Sequence, residues 1–188
     1  MKRIAITGGI ACGKSLVAKF LKEAGVETID ADDVVHELLP DPEERRRMAA
    51  EVFADPEKRR ALEARLHPLV KARIGEFLDS QSSTFDLRPS TLNLRLAIIP
   101  LLFETRWDEN YDIICCVSST RENQIARMLT TRGYALEEAE ARLNAQMPIE
   151  EKSARSHYII NNNGSVEELK NEVIKFLSWL KNSMFSPA

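Results

Sequence analysis

Apolar positions along the chain fall into two rhythms. Apolar-rich stretches of strand length occur at Lys2 to Thr7, Val26 to Ile29, Leu94 to Ile99, Asp112 to Val117 and Tyr158 to Ile160. Between them, apolar residues recur at spacings of three and four. Leu16, Val17, Phe20, Leu21 and Ala24 predict a helix from Lys14 to Ala24, with Gly25 as its stop. Ala31 to Leu39 reads as a second helix, ended by Pro40-Asp41-Pro42. A capping box, Ser165-Val166-Glu167-Glu168, opens a closing helix whose buried stripe is Leu169, Val173, Phe176, Leu177 and Leu180. Five strands alternating with helices predict an α/β sandwich around a mostly parallel sheet.

Two segments interrupt that alternation. Residues Pro42 to Ser80 are rich in Arg, Glu, Ala and Leu, and their prolines predict several short helices. Gln81 to Thr91 is polar and Ser-rich, which predicts a mobile loop. The helix-rich segments 42–80 and 121–156 read as insertions on the carboxyl edge of the sheet, where such folds place their ligands.

Composition narrows the classes. At 188 residues, with 44% hydrophobic and 29% charged residues, the chain is expected to form one domain with a small inserted lobe. A net charge of −3 gives no broad basic footprint, so no nucleic-acid partner is expected. An anionic ligand would be held by locally placed cations. No apolar run approaches the ~18 residues of a membrane span. No signal peptide is expected either, because the chain opens directly on a strand. Three cysteines, two of them adjacent in an apolar run at Cys115-Cys116, read as the reduced thiols of a cytoplasmic protein. No Cys/His grouping has metal-ligand spacing.

Gly8 to Ser15, GGIACGKS, matches GxxxxGK(S/T) and lies between a predicted strand and a predicted helix, the context this loop requires. Inward-turned amides and the positive end of the helix bind phosphates without side-chain acceptors. Lys14 would reach the β- and γ-phosphates and Ser15 would give its hydroxyl to Mg²⁺, so the site is one for a nucleoside triphosphate such as ATP. The loop alone does not separate kinase, ATPase and GTPase. No NKxD guanine reader is present. An ATPase-type carboxylate could be Glu104, after Ile98-Ile99-Pro100-Leu101-Leu102-Phe103. A small-molecule kinase needs a carboxylate beside the acceptor hydroxyl and a lid of arginines. Asp30-Ala31-Asp32 ends the second strand; one aspartate is expected to cap the helix and the other is a candidate for catalysis. Arg121, Arg127, Arg132, Arg142 and Arg155 are the lid candidates, most of them expected on a solvated helix face with glutamate partners.

Taken in order, GGIxxGKS, DAD, LExxLHP, PLLFE, QxxRxxxR, ARxxxQ and NNG resemble the dephospho-coenzyme A kinase family. Here they are Gly8 to Ser15, Asp30 to Asp32, Leu62 to Pro68, Pro100 to Glu104, Gln124 with Arg127 and Arg132, Arg142 with Gln146, and Asn162-Asn163-Gly164. The resemblance spans nearly the whole chain. It implies a P-loop three-layer sandwich with a five-stranded parallel sheet, a helical substrate lobe and a lid. It further implies transfer of the γ-phosphoryl of ATP to the ribose 3′-hydroxyl of dephospho-coenzyme A, with Mg²⁺, by a cytoplasmic enzyme expected to be a monomer.

By that resemblance Asp32 would engage the 3′-hydroxyl as base or orienter, and Arg142 would come down on the transferring phosphoryl group. Lys14 and Ser15 keep the roles already given. Gly8, Gly9, Ala11, Cys12, Gly13, Lys14, Ser15 and Leu16, with Asn162, would line the nucleotide site. His67-Pro68 would fix a turn between two lobe helices, and Glu104 would either hold a water on the metal or end its strand. The family loop usually reads GGIGSGKST, so Ala11, Cys12 and Leu16 are departures, and Ala11 restricts a position where glycine is freer. Asn161 stands where the family often has Asp, and the segment between DAD and LHP is short. Two alternatives stand beside this reading. One is a P-loop kinase for another small hydroxyl acceptor, such as a nucleoside or sugar acid; the other is a nucleotide-binding switch without transfer chemistry.

Overall fold

The computed structural model describes residues 2–43, 45–48, 55–80 and 94–185. The predicted loop Gln81 to Thr91 and part of the segment 42–80 lie outside them. The chain divides into two compact units, one of Met1–Thr28 with Asp86–Ala188 and one of Ile29–Phe85.

Five parallel strands form one sheet in the order β2-β3-β1-β4-β5: β1 Ile4–Gly8, β2 Glu27–Asp30, β3 Arg95–Ile98, β4 Ile113–Ser118 and β5 Tyr158–Asn161. The α/β reading with a five-stranded parallel sheet therefore holds. Every residue of β1 is buried and β4 is buried up to its last residue, as a parallel sheet covered on both faces requires. The register Ile6 opposite both Ile98 and Cys115 places β1 at the centre. From β1 the chain runs first to strands on one side and then to β4 and β5 on the other. The strand order thus reverses at β1, and a crevice opens outside the carboxyl ends of such strands.

Helix α1, Lys14–Glu23, buries Val17, Phe20 and Leu21 and stops where Gly25 takes a φ of 82°. After β4 come α4, Arg121–Arg132, α5, Leu136–Asn144, and the short α6, Ile149–Ala154. The closing helix α7 is Val166–Phe185. Its capping box forms in both directions: Ser165 N–H donates to Glu168 at 2.6 Å and Glu168 N–H to the Ser165 hydroxyl at 3.2 Å. Leu169, Val173, Phe176, Leu177 and Leu180 all face the core, where Phe176 meets Tyr158 at 5.2 Å between ring centroids.

In the second unit, α2 is Ala31–Leu38 and α3 is Pro56–Asp79. The prediction of several short helices is corrected over residues 56–79: α3 is one helix of 24 residues with Pro68 inside it. His67-Pro68 consequently makes no turn between helices. A proline inside a helix costs about 3 kcal/mol. Against that, Leu66, Val70, Ile74 and Leu78 repeat every four residues and are all buried, each contributing about 1.5–3 kcal/mol. Continuing the helix through Pro68 keeps that stripe on one face, and the stripe outweighs the proline.

Candidate active site

The loop from Gly9 to Gly13 turns at the carboxyl end of the central strand, between β1 and α1. Two of its residues have positive φ, Ala11 at 58° and Gly13 at 95°, and so does Gly8 just before it, at 148°. Gly13 is the N-cap of α1, yet no side chain caps the helix and no acidic residue sits in its first turn. The first turn of α1 itself carries no carboxylate that would offset its positive end. The Lys14 ammonium folds back over the loop, 3.0 Å from the Gly8 carbonyl and 2.9 Å from that of Gly9.

Three side chains fix the loop by its carbonyls. Gln124 Nε2 donates to Ile10 O at 2.7 Å, Arg127 Nη1 to Ala11 O at 3.2 Å and Asn162 Nδ2 to Cys12 O at 2.8 Å. In a trans peptide the following N–H points away from the carbonyl. Holding three consecutive carbonyls therefore turns the amides of Ala11, Cys12 and Gly13 the opposite way, although the Cys12 N–H also closes a 3.3 Å turn on Gly9 O. Backbone amides turned to one side in this way are the arrangement that can cradle an anion. Gly13 is required by the brace itself, since a Cβ there would overlap the Asn162 amide. Gly8 is required by the sheet, since its Cβ would collide with the Val117 carbonyl of β4.

Arg127 also donates to Ser119 Oγ at 3.1 Å and to Asn162 O at 2.7 Å. Among the five lid arginines Arg127 is not on a solvated face with a glutamate partner: it is turned inward and joins the phosphate loop to the ends of β4 and β5. Arg155 pairs with Asp108 at 3.0 Å and lies over the Phe103 ring, while Arg121 reaches the Asn144 side chain at 3.2 Å. Arg142 does pair with a glutamate: Nη2 and Nε lie 2.9 and 3.1 Å from Glu138 Oε1, and its guanidinium covers the Tyr134 ring.

Ser15 is exposed on the first turn of α1. Leu16 packs on the core, and its N–H is used within the turn by Gly13 O at 3.1 Å. Burial pushes the Cys12 thiol above its ordinary range, with Lys14 pulling weakly the other way.

Glu104 lies in the turn after β3. Its carboxylate is 2.7 Å from the Lys152 ammonium and accepts the Met147 N–H at 3.0 Å. Lys152 is fully buried and also donates to the Pro100 carbonyl at 2.8 Å. Sequence reasoning missed this lysine, since Ile149-Glu150-Glu151-Lys152 reads like any charged helix face. Gln124, Arg127 and Gln146 did lie inside family-like motifs, and their spacing was the available signal. Asp30 and Asp32 belong to the second unit. Asp30 is the N-cap of α2, its carboxylate accepting the Asp32 N–H at 2.9 Å, which leaves the Asp32 side chain exposed.

A parallel sheet, a braced GxxxxGKS loop at the point where its strand order reverses, and an arginine-bearing helical arm after β4 define a P-loop kinase. The sequence pattern of the dephospho-CoA kinase family matches residues 2–45 and 41–168. The chain belongs to the dephospho-CoA kinase family, whose members are ATP-dependent phosphotransferases of coenzyme A biosynthesis. It is 35% identical to a dephospho-CoA kinase of Synechococcus sp. (strain JA-3-3Ab), over 92% of this chain and 90% of that protein. It is 37% identical to that of Symbiobacterium thermophilum, over 92% and 79%. Among solved structures, the dephospho-CoA kinase from Campylobacter jejuni superposes with a TM-score of 0.68 at 26% identity, covering 97% of this chain and 98% of that one. Shikimate kinase from Acinetobacter baumannii, at 18% identity and a TM-score of 0.65, shares the fold.

Proposed function

We propose that the chain transfers the γ-phosphoryl of ATP to the ribose 3′-hydroxyl of dephospho-coenzyme A, with Lys14, Arg142 and Asp32 as the residues that carry the step. The observation behind this is the set of three carbonyl braces, which turns the loop amides away from the carbonyls held by Gln124, Arg127 and Asn162 at the start of α1. Lys14 lies over the loop already and would bridge the β- and γ-phosphates. Arg142 would exchange Glu138 for phosphoryl oxygens as charge develops on them. Asp32 would orient the acceptor hydroxyl and take its proton, while the segments 42–80 and 121–156 would serve as substrate lobe and lid.

The donor set fits Mg²⁺ bound through the nucleotide. Among the described residues no cluster of three or more His, Cys, Asp or Glu could hold a metal by itself. Ser15 offers one exposed hydroxyl, and Mg²⁺ keeps waters and phosphate oxygens as its remaining ligands. Once bound, the ion would neutralise charge between the β- and γ-phosphates. No described helix is long and apolar enough to cross a membrane, and the three cysteines are free and buried. Both observations suit a cytoplasmic enzyme, and we take it to act as a monomer.

A coupled ADP-release assay tests the reading, with dephospho-coenzyme A and adenosine as rival acceptors. Release with dephospho-coenzyme A alone is expected. Release with adenosine alone would move the acceptor class, and ATP binding without release would make the protein a nucleotide switch. Lys14→Ala should lower turnover at least about a hundredfold, the loss typical of one preorganised transition-state contact.

A further inference from the structure

The stretch just beyond α5, the helix that carries Arg142, is tied to the phosphate loop through Gln146. Ile10 N–H, in the loop, donates to Gln146 Oε1 at 2.8 Å. Gln146 lies two residues beyond α5, but the helical hydrogen bonding reaches it, because its own N–H donates to Leu143 O at 3.1 Å. The next residue is fastened as well, since the Met147 N–H donates to Glu104 at 3.0 Å. Glu104 is itself held by the buried Lys152, which shares the Pro100 carbonyl with Thr7 of β1. Two consecutive residues at the foot of α5 are therefore tied, one to the phosphate loop and one to the turn after β3.

We propose that Gln146 is a positioning residue for phosphoryl transfer: its amide oxygen, backed by the Lys152–Glu104 pair on Met147, sets the arm so that Arg142 can reach the transferring group. The proposal rests on the kinase reading above. Ground-state phosphate binding belongs to the loop amides and Lys14, whose braces are Gln124, Arg127 and Asn162. Gln146 holds no loop carbonyl, only an amide outside those three braced peptides. Loosening it should leave nucleotide binding largely intact and misplace the arginine in the transition state. A misplacement of about 1 Å costs up to about a hundredfold in rate. Glu104 in this arrangement serves the arm, since its carboxylate is already committed to Lys152 and Met147.

The test compares wild type with Gln146→Met, which keeps the length of the side chain and removes the acceptor oxygen. ADP release with dephospho-coenzyme A gives kcat and KM for ATP, and calorimetry gives the ADP Kd. Expected are a kcat reduced about ten- to a hundredfold and an ADP Kd within threefold of wild type. Adding Glu104→Gln to Gln146→Met should lower kcat by less than the product of the single losses, because both act on one stem. A kcat within twofold of wild type for Gln146→Met would overturn the proposal. So would an ADP Kd weakened in proportion to kcat, which would make Gln146 part of nucleotide binding. If wild type releases no ADP with dephospho-coenzyme A while still binding it, the kinase reading fails first and the proposal with it.

Discussion

Asn162 and Gly13 exclude each other's alternatives. The Asn162 amide sits where any side chain on residue 13 would begin, and from there it holds the Cys12 carbonyl at 2.8 Å. The αL backbone of Gly13, at φ 95°, is the second reason for glycine. Gly13→Ala should therefore lose ADP binding and destabilise the protein together. Asn162→Ala keeps the space but leaves a buried carbonyl unsatisfied, a cost of about 1–3 kcal/mol. Calorimetric ADP binding and thermal unfolding of both variants check this, and normal ADP affinity in Asn162→Ala would remove the brace from the site.

Arg142 and Glu138 allow a sharper test of the arm. An exposed i,i+4 pair contributes about 0.3–0.5 kcal/mol, and the two side chains here are each 46% exposed. A transition-state phosphate contact is worth about 3 kcal/mol, so the glutamate cannot hold the arginine back. Glu138→Gln should leave turnover within about twofold. Arg142→Lys keeps the charge but loses the planar fork, and turnover should fall with ADP binding kept. Equal kinetics for Arg142→Lys and wild type would return Arg142 to the helix surface.

Ala11 occupies the left-handed region at φ 58°, where a Cβ costs about 1–2 kcal/mol. Part of that is recovered in the unfolded state, because glycine has more freedom to lose on folding. Ala11→Gly should raise stability by about 0.5–1 kcal/mol without loosening ADP binding. Thermal unfolding measures it, and a lower midpoint would show that the loop depends on the alanine methyl.

The cysteines give a pH prediction. Burial raises Cys12 above its ordinary value of 9.0, Cys115 well above it and Cys116 to about 11. The neutral thiols are thus favoured in the folded state. Their contribution is complete below pH 9 and is lost as pH rises toward 11, where unfolding releases protons. Thermal midpoints should fall across that window, and a cysteine-free variant should lose less there. Thiol reagents at pH 8 should modify the protein only once it unfolds.

The sheet and its flanking helices were legible because period and caps are local signals. Ser165 to Glu168 announced α7, and Lys14 to Ala24 announced α1 within one residue. The phosphate loop was legible because its chemistry lies in eight consecutive residues. What stayed hidden was long-range. Pro68 read as a break because the sequence does not weigh one proline against a stripe of four aliphatics. Arg127 was one of five lid candidates, and its inward role was hidden because its partners, Ala11 and Asn162, lie 116 and 35 positions away. Lys152 gave no sign at all, since a buried ammonium is defined only by the carboxylate and carbonyl that meet it.

Asp30 is the N-cap of α2, and the proposed function gives the chemistry to Asp32. Asp30 accepts the Asp32 N–H at 2.9 Å and is the N-cap of α2, so Asp30→Ala should cost about 1 kcal/mol of stability. Asp30→Asn, which still caps, should cost little stability and little turnover. Asp32 is exposed in the first turn of α2, where a carboxylate contributes only about 0.3–1 kcal/mol through the helix dipole. Its substitution by asparagine should leave a folded protein with near-normal ATP binding. Turnover, however, should fall by about 10²–10⁴, the range for loss of a positioned general base. Kinetics and unfolding curves of the two asparagine variants decide between them. An inactive Asp30→Asn beside an active Asp32→Asn would move the base by two residues, and an unfolded Asp32→Asn would make that residue structural.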